Sequence, residues 1–202
     1  MTEKERMIAG LPYRPSIGGL AEDRLACKEV IHRFNHMEPA QRSEAMELLK
    51  GLFAQAGEHF TVEAPFHCDY GYNIHVGDHF FANYNLVILD VAPVTIGSHV
   101  LMGPNVALYT AGHPIHPESR NTGYEYGAPI TVWDNVWIGG NTVLLPGVTI
   151  GEGAVIGAGS VVGRDIPART IAVGNPCRVV RQITEEDRKY CCRDREFDVP
   201  LD

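Results

Sequence analysis

Residues 130–166 read ITVWDNVWIGGNTVLLPGVTIGEGAVIGAGSVVGRDI, and an aliphatic side chain returns in them every six residues, at Val132, Ile138, Leu144, Ile150, Ile156 and Val162. Glycine follows at Gly139, Gly151, Gly157 and Gly163, and the position four after each aliphatic is small or apolar: Val136, Thr142, Val148, Ala154, Ser160 and Ile166. An α-helix repeats its buried face about every 3.6 residues and a half-buried strand every two, so neither produces a strict six. A short strand plus a turn does, wound around a prism with three faces. Three hexapeptides then make one coil of about 18 residues, and coils stack at roughly the 4.8 Å of hydrogen-bonded strands. In such a prism the aliphatic points inward, the small residue packs where the interior narrows, and glycine permits the corner backbone.

The same phase runs upstream. Ile96, Met102 and Leu108 carry Val100 and Val106 at the small position, and Val76, Ala82 and Ile88 carry Phe80 and Leu86. The step from Ile88 to Ile96 is eight, which implies a two-residue insertion near Asp90–Pro93. Between Leu108 and Val132 the pattern stops. The stretch YTAGHPIHPESRNTGYEYGAP, residues 109–129, is polar and reads as a loop extruded from the coil, where chemistry tends to sit. Before the prism, a short helix is expected near residues 2–9. Two amphipathic ones should follow, with Leu25, Val30, Ile31 and Phe34 on one stripe and Met46, Leu48, Leu49, Leu52 and Phe53 on the other. Pro39 suits a helix start and Gly57 a stop. After Ile183 the chain is charged, and Thr184 with Asp187 can open a short terminal helix. The expected organisation is a helical segment 1–58, a prism domain 59–183 with its loop at about 109–129, and a tail 184–202.

Composition narrows the function classes. With 45% hydrophobic and 21% charged residues in 202, the chain can build a packed core. A net charge of −8 argues against a broad phosphate-backbone surface, so no nucleic acid partner is expected. No apolar run approaches the roughly 18–20 residues of a membrane span, and MTEKERMIAG lacks the apolar core of a signal peptide, so a cytoplasmic protein is expected. Five cysteines, an odd number with no C-x-x-C pair, read as reduced structural thiols rather than a disulfide framework or zinc site.

The hexapeptide series occurs together with MIAGLPYRP (7–15), CDYGYNI (68–74), FFANYNLVILDVAP (80–93), YTAGHPIHP (109–117) and GNPCRVV (174–180). This combination resembles the maltose and galactoside O-acetyltransferase family of hexapeptide acyltransferases, with CDYGYNI and LDVAP closer to the maltose branch. Gly112 and His116 depart from the T-H-P-I-D form of that branch. The resemblance implies a left-handed parallel β-helix with an N-terminal helical segment, a homotrimer with active sites between neighbouring prisms, and acetyl transfer from acetyl-CoA to a sugar hydroxyl.

A hydroxyl is too weak an acid to ionise near neutrality, so the transfer needs a base, and histidine is the natural one. Among nine histidines, His113 lies in the extruded loop and matches the family's catalytic histidine. No serine or cysteine nucleophile is required if the hydroxyl attacks the thioester directly in a ternary complex, as in the family. Asn83 matches an asparagine near the thioester end of coenzyme A, where a donor to the developing oxyanion is useful. Asp69 and Asp90 are the candidates for accepting hydrogen bonds from acceptor hydroxyls. The family positions that contact the cofactor fall on Gly140, Ala158, Gly163, Arg164, Arg178 and Arg181. Their arginines form a local basic exception in an acidic chain, suited to the cofactor's phosphates. Trp137 lies at an outward position, which suggests cofactor contact or a subunit interface. Three alternatives stay open: a related acyltransferase with an oligosaccharide or antibiotic acceptor, a non-catalytic binding prism, and a zinc site on a prism as in γ-class carbonic anhydrases. The last lacks the spacing between paired histidines, and no metal is expected.

Overall fold

The six-residue repeat winds into three parallel sheets in the computed structural model, which describes residues 1–200. Face A holds Gln55–Ala56, Ile74–Val76, Val94–Ile96, Ile130–Val132 and Thr149–Ile150. Face B holds Phe60–Val62, Phe80–Ala82, Leu101–Met102, Trp137–Ile138, Val155–Ile156 and Thr170–Val173. Face C holds Phe66–Cys68, Leu86–Leu89, Ala107–Tyr109, Val143–Leu144 and Val161–Val162. Each repeat aliphatic lies over the last, as Val76, Ile96, Val132 and Ile150 do on face A, so the interior is a continuous apolar column. Burying one such side chain is worth about 1.5–3 kcal/mol, and a one-residue slip would turn it outward. The polar intruder Thr142 is fully buried and satisfied, its Oγ1 donating to the Gly139 carbonyl at 2.7 Å.

Glycine's part in the repeat differs from the one expected. Gly139 does not occupy a left-handed conformation; a Cβ there would stand 2.5 Å from the backbone nitrogen of Ala158 in the next coil, so close stacking of coils excludes a side chain. The left-handed corner is made two residues later, by Asn85, Asn105, Asn141 and Gly159 between faces B and C and by His79, His99, Asn135 and Gly153 between A and B. Asparagine tolerates that conformation best after glycine.

Of the helices before the prism, the second and third pack on its first coil and the first packs beside the extruded loop. They run over Glu3–Ile8 (α1), Leu20–Asn35 (α2) and Arg42–Leu52 (α3). The inner stripe of α2 is Leu20, Cys27, Ile31 and Phe34, whereas Leu25 is 60% exposed, because it falls off the helical face that Ile31 and Phe34 define. Phe34, Phe53 and Phe66 meet edge to face over the first coil. Asn35 closes the free edge of face C, its Nδ2 donating to the Phe66 carbonyl at 2.9 Å and its Oδ1 accepting from the Phe66 N–H at 2.8 Å. α3 stops at Leu52, where Phe53 turns extended, so Gly57 is a corner glycine and not the helix stop. The first coil starts at Gln55. Its Ala56, Val62 and Cys68 keep the phase, but the eight-residue step from Cys68 to Val76 hides them in the sequence.

At the other end Arg178–Gln182 folds back antiparallel on Thr170–Val173. The Thr184–Asp187 capping box forms, but it opens a 3₁₀ turn over Glu185–Lys189 rather than an α-helix, followed by a hairpin of Tyr190–Cys192 with Arg195–Glu196. Residues 201–202 of the tail lie outside the described residues. Among those described, no helix is long and apolar enough to cross a membrane.

Candidate active site

The corner between faces C and A carries the acceptor-side candidates. Register places Asp69, Asp90 and Thr110 there on three successive coils, and the extruded loop leaves the prism directly after Thr110. Thr110 is buried and anchors the exit, its Oγ1 donating to the Leu89 carbonyl at 2.6 Å and accepting from the Ala92 N–H at 3.0 Å. His113 follows three residues on and is exposed. Behind it, Ala111–Gly112 pairs with Tyr126–Gly127, which returns the loop to the prism. A Cβ at residue 112 would meet the Tyr126 ring at 2.5 Å, so Gly112 is fitted to that tyrosine. The loop tip is a single helical turn, Pro117–Arg120, and Arg120 ties it back by donating to the Ile115 carbonyl at 3.0 Å.

Asp90 is 0% exposed. Its Oδ1 accepts from the backbone N–H of Asp69 and of Tyr70, both at 2.9 Å, while Oδ2 is buried with no partner among the described residues. Burial pushes its carboxyl up to about 6, against the pull of those two hydrogen bonds. Asp90 therefore shapes the backbone that presents Asp69, whose own side chain is partly open. Burial also raises the Asp69 carboxyl, and the Arg24 guanidinium opposes the rise. Sequence reasoning had not singled out Arg24, or Tyr13, Tyr70 and Glu125. Arg24 donates to the Tyr70 hydroxyl at 2.6 Å and to the Pro15 carbonyl at 2.7 Å, and Tyr13 donates to Glu125 of the loop at 3.1 Å. Tyr13 and Glu125 also exchange backbone hydrogen bonds, so the N-terminal segment braces the extruded loop. These partners lie 46 and 112 residues apart in sequence, and no local pattern marks them.

The corner between faces B and C carries most of the donor-side candidates. Asn83, Gly140 and Ala158 line it on three coils, with the Gly159 N–H donating to the Gly140 carbonyl at 2.9 Å. The Tyr84 N–H donates to Asn83 Oδ1 at 2.8 Å; since only oxygen can accept there, the NH₂ end of the amide is left as a donor. Gly163 and Arg164 fall at the C–A corner instead, above Leu145, so one protomer does not bring all the cofactor candidates together. Arg178 and Arg181 lie exposed on the returning strand. Arg181 is engaged by both oxygens of Asp187, at 2.8 and 2.6 Å, a pairing that holds the Asp187 carboxyl far below the usual range. On the outer side of face B, Phe81, Leu101, Trp137, Val155 and Ile171 stack in register, with Trp137 55% and Leu101 49% exposed. Among the described residues no group of three His, Cys, Asp or Glu side chains is set to hold a metal ion.

Comparison with known proteins agrees with this architecture. Residues 6–57 match the maltose acetyltransferase hexapeptide capping motif, and residues 130–164 match the bacterial transferase hexapeptide model of six repeats. The chain is 47% identical over 194 residues to galactoside O-acetyltransferase of Escherichia coli (strain K12), covering 96% of each chain. Its structure resembles a maltose O-acetyltransferase from Clostridium difficile 630, with a TM-score of 0.90 and 49% identity over 92% of this chain and 99% of that one. It also resembles a galactoside acetyltransferase in complex with coenzyme A, with a TM-score of 0.94 and 44% identity over 98% of this chain and 100% of that one. With such identity across almost its whole length, a capping motif in the helices and the hexapeptide coils behind them, this chain belongs to the maltose and galactoside O-acetyltransferase family.

Proposed function

We propose that this protein is an acetyl-CoA-dependent O-acetyltransferase that acts on a sugar hydroxyl, with His113 as the general base. The observation that carries the reading is the corner register: Asp69, the buried Asp90 and the root of the His113 loop emerge together at one edge of face C, while Asn83, Gly140 and Ala158 line the other. Asp69 accepts a hydrogen bond from an acceptor hydroxyl. His113 removes the proton of the reacting hydroxyl as its oxygen attacks the thioester carbonyl, the C–S bond breaks, and the departing coenzyme A sulfur takes up the proton. The products are the acetyl sugar and free coenzyme A, with no acyl-enzyme. The NH₂ of Asn83 serves the thioester end. Arg164, Arg178 and Arg181 serve the cofactor's phosphates, which must displace Asp187 from Arg181.

The two candidate rows lie a whole sheet face apart, so we propose that a neighbouring protomer closes the site in a homotrimer, joined through the exposed Leu101–Trp137 stripe. The cytoplasm, where acetyl-CoA is made and used, suits a chain whose cysteines are all free among the described residues. The test is steady-state release of coenzyme A thiol with a panel of sugars. His113→Ala should lower the rate by about 10²–10⁴ with little change in cofactor affinity. A variant retaining more than about a tenth of the rate removes His113 from the mechanism.

A further inference from the structure

Beside Asp69, on the outer side of face C, lies a cavity of about 350 Å³, within the range of about 300–1,000 Å³ usual for small-molecule sites. One wall is α2 with the residue that caps it, which together contribute Lys28, His32 and His36; the other is the prism, which contributes His67 and Asp69. The walls are fixed to each other. Asn35 clamps the backbone of Phe66, the residue before His67, and the buried Cys27 thiol packs against the Cys68 thiol at 3.5 Å. The cavity is therefore formed in advance of any ligand.

Its lining departs from the character of the chain. A protein of net charge −8 here sets one full cation and three imidazoles against a single carboxylate, and that carboxylate is the acceptor-side Asp69. The imidazoles are ordered. His32 and His36 pack with ring centroids 4.2 Å apart, and the His36 Nδ1 lies 2.8 Å from the His32 carbonyl, which can only accept, so Nδ1 carries hydrogen. These histidines are not set as a metal cluster among the described residues. Lys28, His32, His36 and His67 all reach solvent, so each is open to a ligand.

We propose that this cavity is a second acceptor subsite, in which Lys28 and the imidazoles of His32, His36 and His67 hold an oxyanion, a phosphate or carboxylate borne by the sugar whose hydroxyl Asp69 binds. The inference rests on the sugar O-acetyltransferase reading and names its substrate class: acidic saccharides in preference to neutral ones. An ammonium and imidazole N–H groups give short, charge-assisted hydrogen bonds to an oxyanion, which a neutral sugar does not offer.

The test compares glucose, glucose 6-phosphate and glucuronate, both as acceptors in the coenzyme A release assay and as ligands by calorimetry, which needs no turnover. The expected result is that at least one acidic sugar binds tenfold or more tightly than glucose and is favoured in kcat/KM by a similar factor. Lys28→Met and, separately, His67→Gln should each reduce the ratio of acidic to neutral sugar about tenfold, and the preference should shrink in 0.5 M salt; a residue that only held the fold would weaken all three sugars alike. If neither acidic sugar is preferred, or if the preference survives both substitutions, the subsite is refuted, even in an enzyme that acetylates glucose well. If no sugar is acetylated while a Lys28-dependent acidic sugar still binds, the catalytic reading fails and the subsite stands.

Discussion

Replacing Asp90 by asparagine isolates the energetic cost of its buried carboxylate. The carboxyl is held at about 6 in the fold against an ordinary 3.8, because it is 0% exposed and Oδ2 has no partner among the described residues. The folded protein thus binds this proton more tightly than the unfolded chain. Its stabilising contribution is complete below about pH 4 and is lost as the pH rises through about 6. At about 1.4 kcal/mol for each pH unit between the two values, the loss amounts to about 3 kcal/mol. Asparagine keeps an oxygen to accept from the Asp69 and Tyr70 N–H groups but cannot ionise. The readout is urea unfolding of wild type and Asp90→Asn from pH 4 to 8 at one fixed protein concentration, since association would shift both curves. The variant's stability minus that of the wild type should rise by about 2–2.5 kcal/mol between pH 4 and 7 and then level off, whatever its value at pH 4. Parallel profiles across that range would falsify the argument that the corner holds a desolvated, half-satisfied carboxylate. Acids that do not interact with Asp90 cancel in the difference, and Asp69, its charged neighbour, is the one that does not.

Three other outcomes are expected. Light scattering of the wild type should give three times the 22.2 kDa chain mass, and Trp137→Glu, which sets a charge on the 55% exposed ring position of face B, should shift the population to single chains. A variant that keeps the wild-type mass would place the interface elsewhere. Arg181→Ala should raise the KM for acetyl-CoA roughly tenfold while the sugar KM stays near its wild-type value. A rise in the sugar KM alone would assign the returning strand to the acceptor side. Gly139→Ala puts a methyl 2.5 Å from the Ala158 backbone, which cannot swing aside, and should cost about 1–3 kcal/mol in thermal or urea unfolding. A neutral effect would show that the coils can spread apart at no cost.

The architecture was legible because a prism repeats one local condition. Each aliphatic from Val76 to Val162 meets the same inward environment, so the period of six appears in the one-dimensional string, and its interruption after Leu108 marks the loop that carries His113. Asp69, Asp90, Asn83 and the late arginines were brought out by the resemblance to the acetyltransferase family, the arginines also by their contrast with an acidic chain. What each of these residues does in the fold was decided by the stacking of coils. Register turned Asp90 inward to hold the backbone of Asp69, tied Arg181 to Asp187, and gave Gly139 a close approach where the sequence suggested a corner. Leu25 faces solvent because the stripe of a helix is set by what it packs against as well as by its own pattern. Arg24, Tyr13 and Glu125, and the cavity between α2 and face C, have no signature in the sequence. They exist only where a helix of the N-terminal segment lies against coils tens of residues away. Periodicity records a local environment that recurs, whereas a site is assembled from distant segments that meet once.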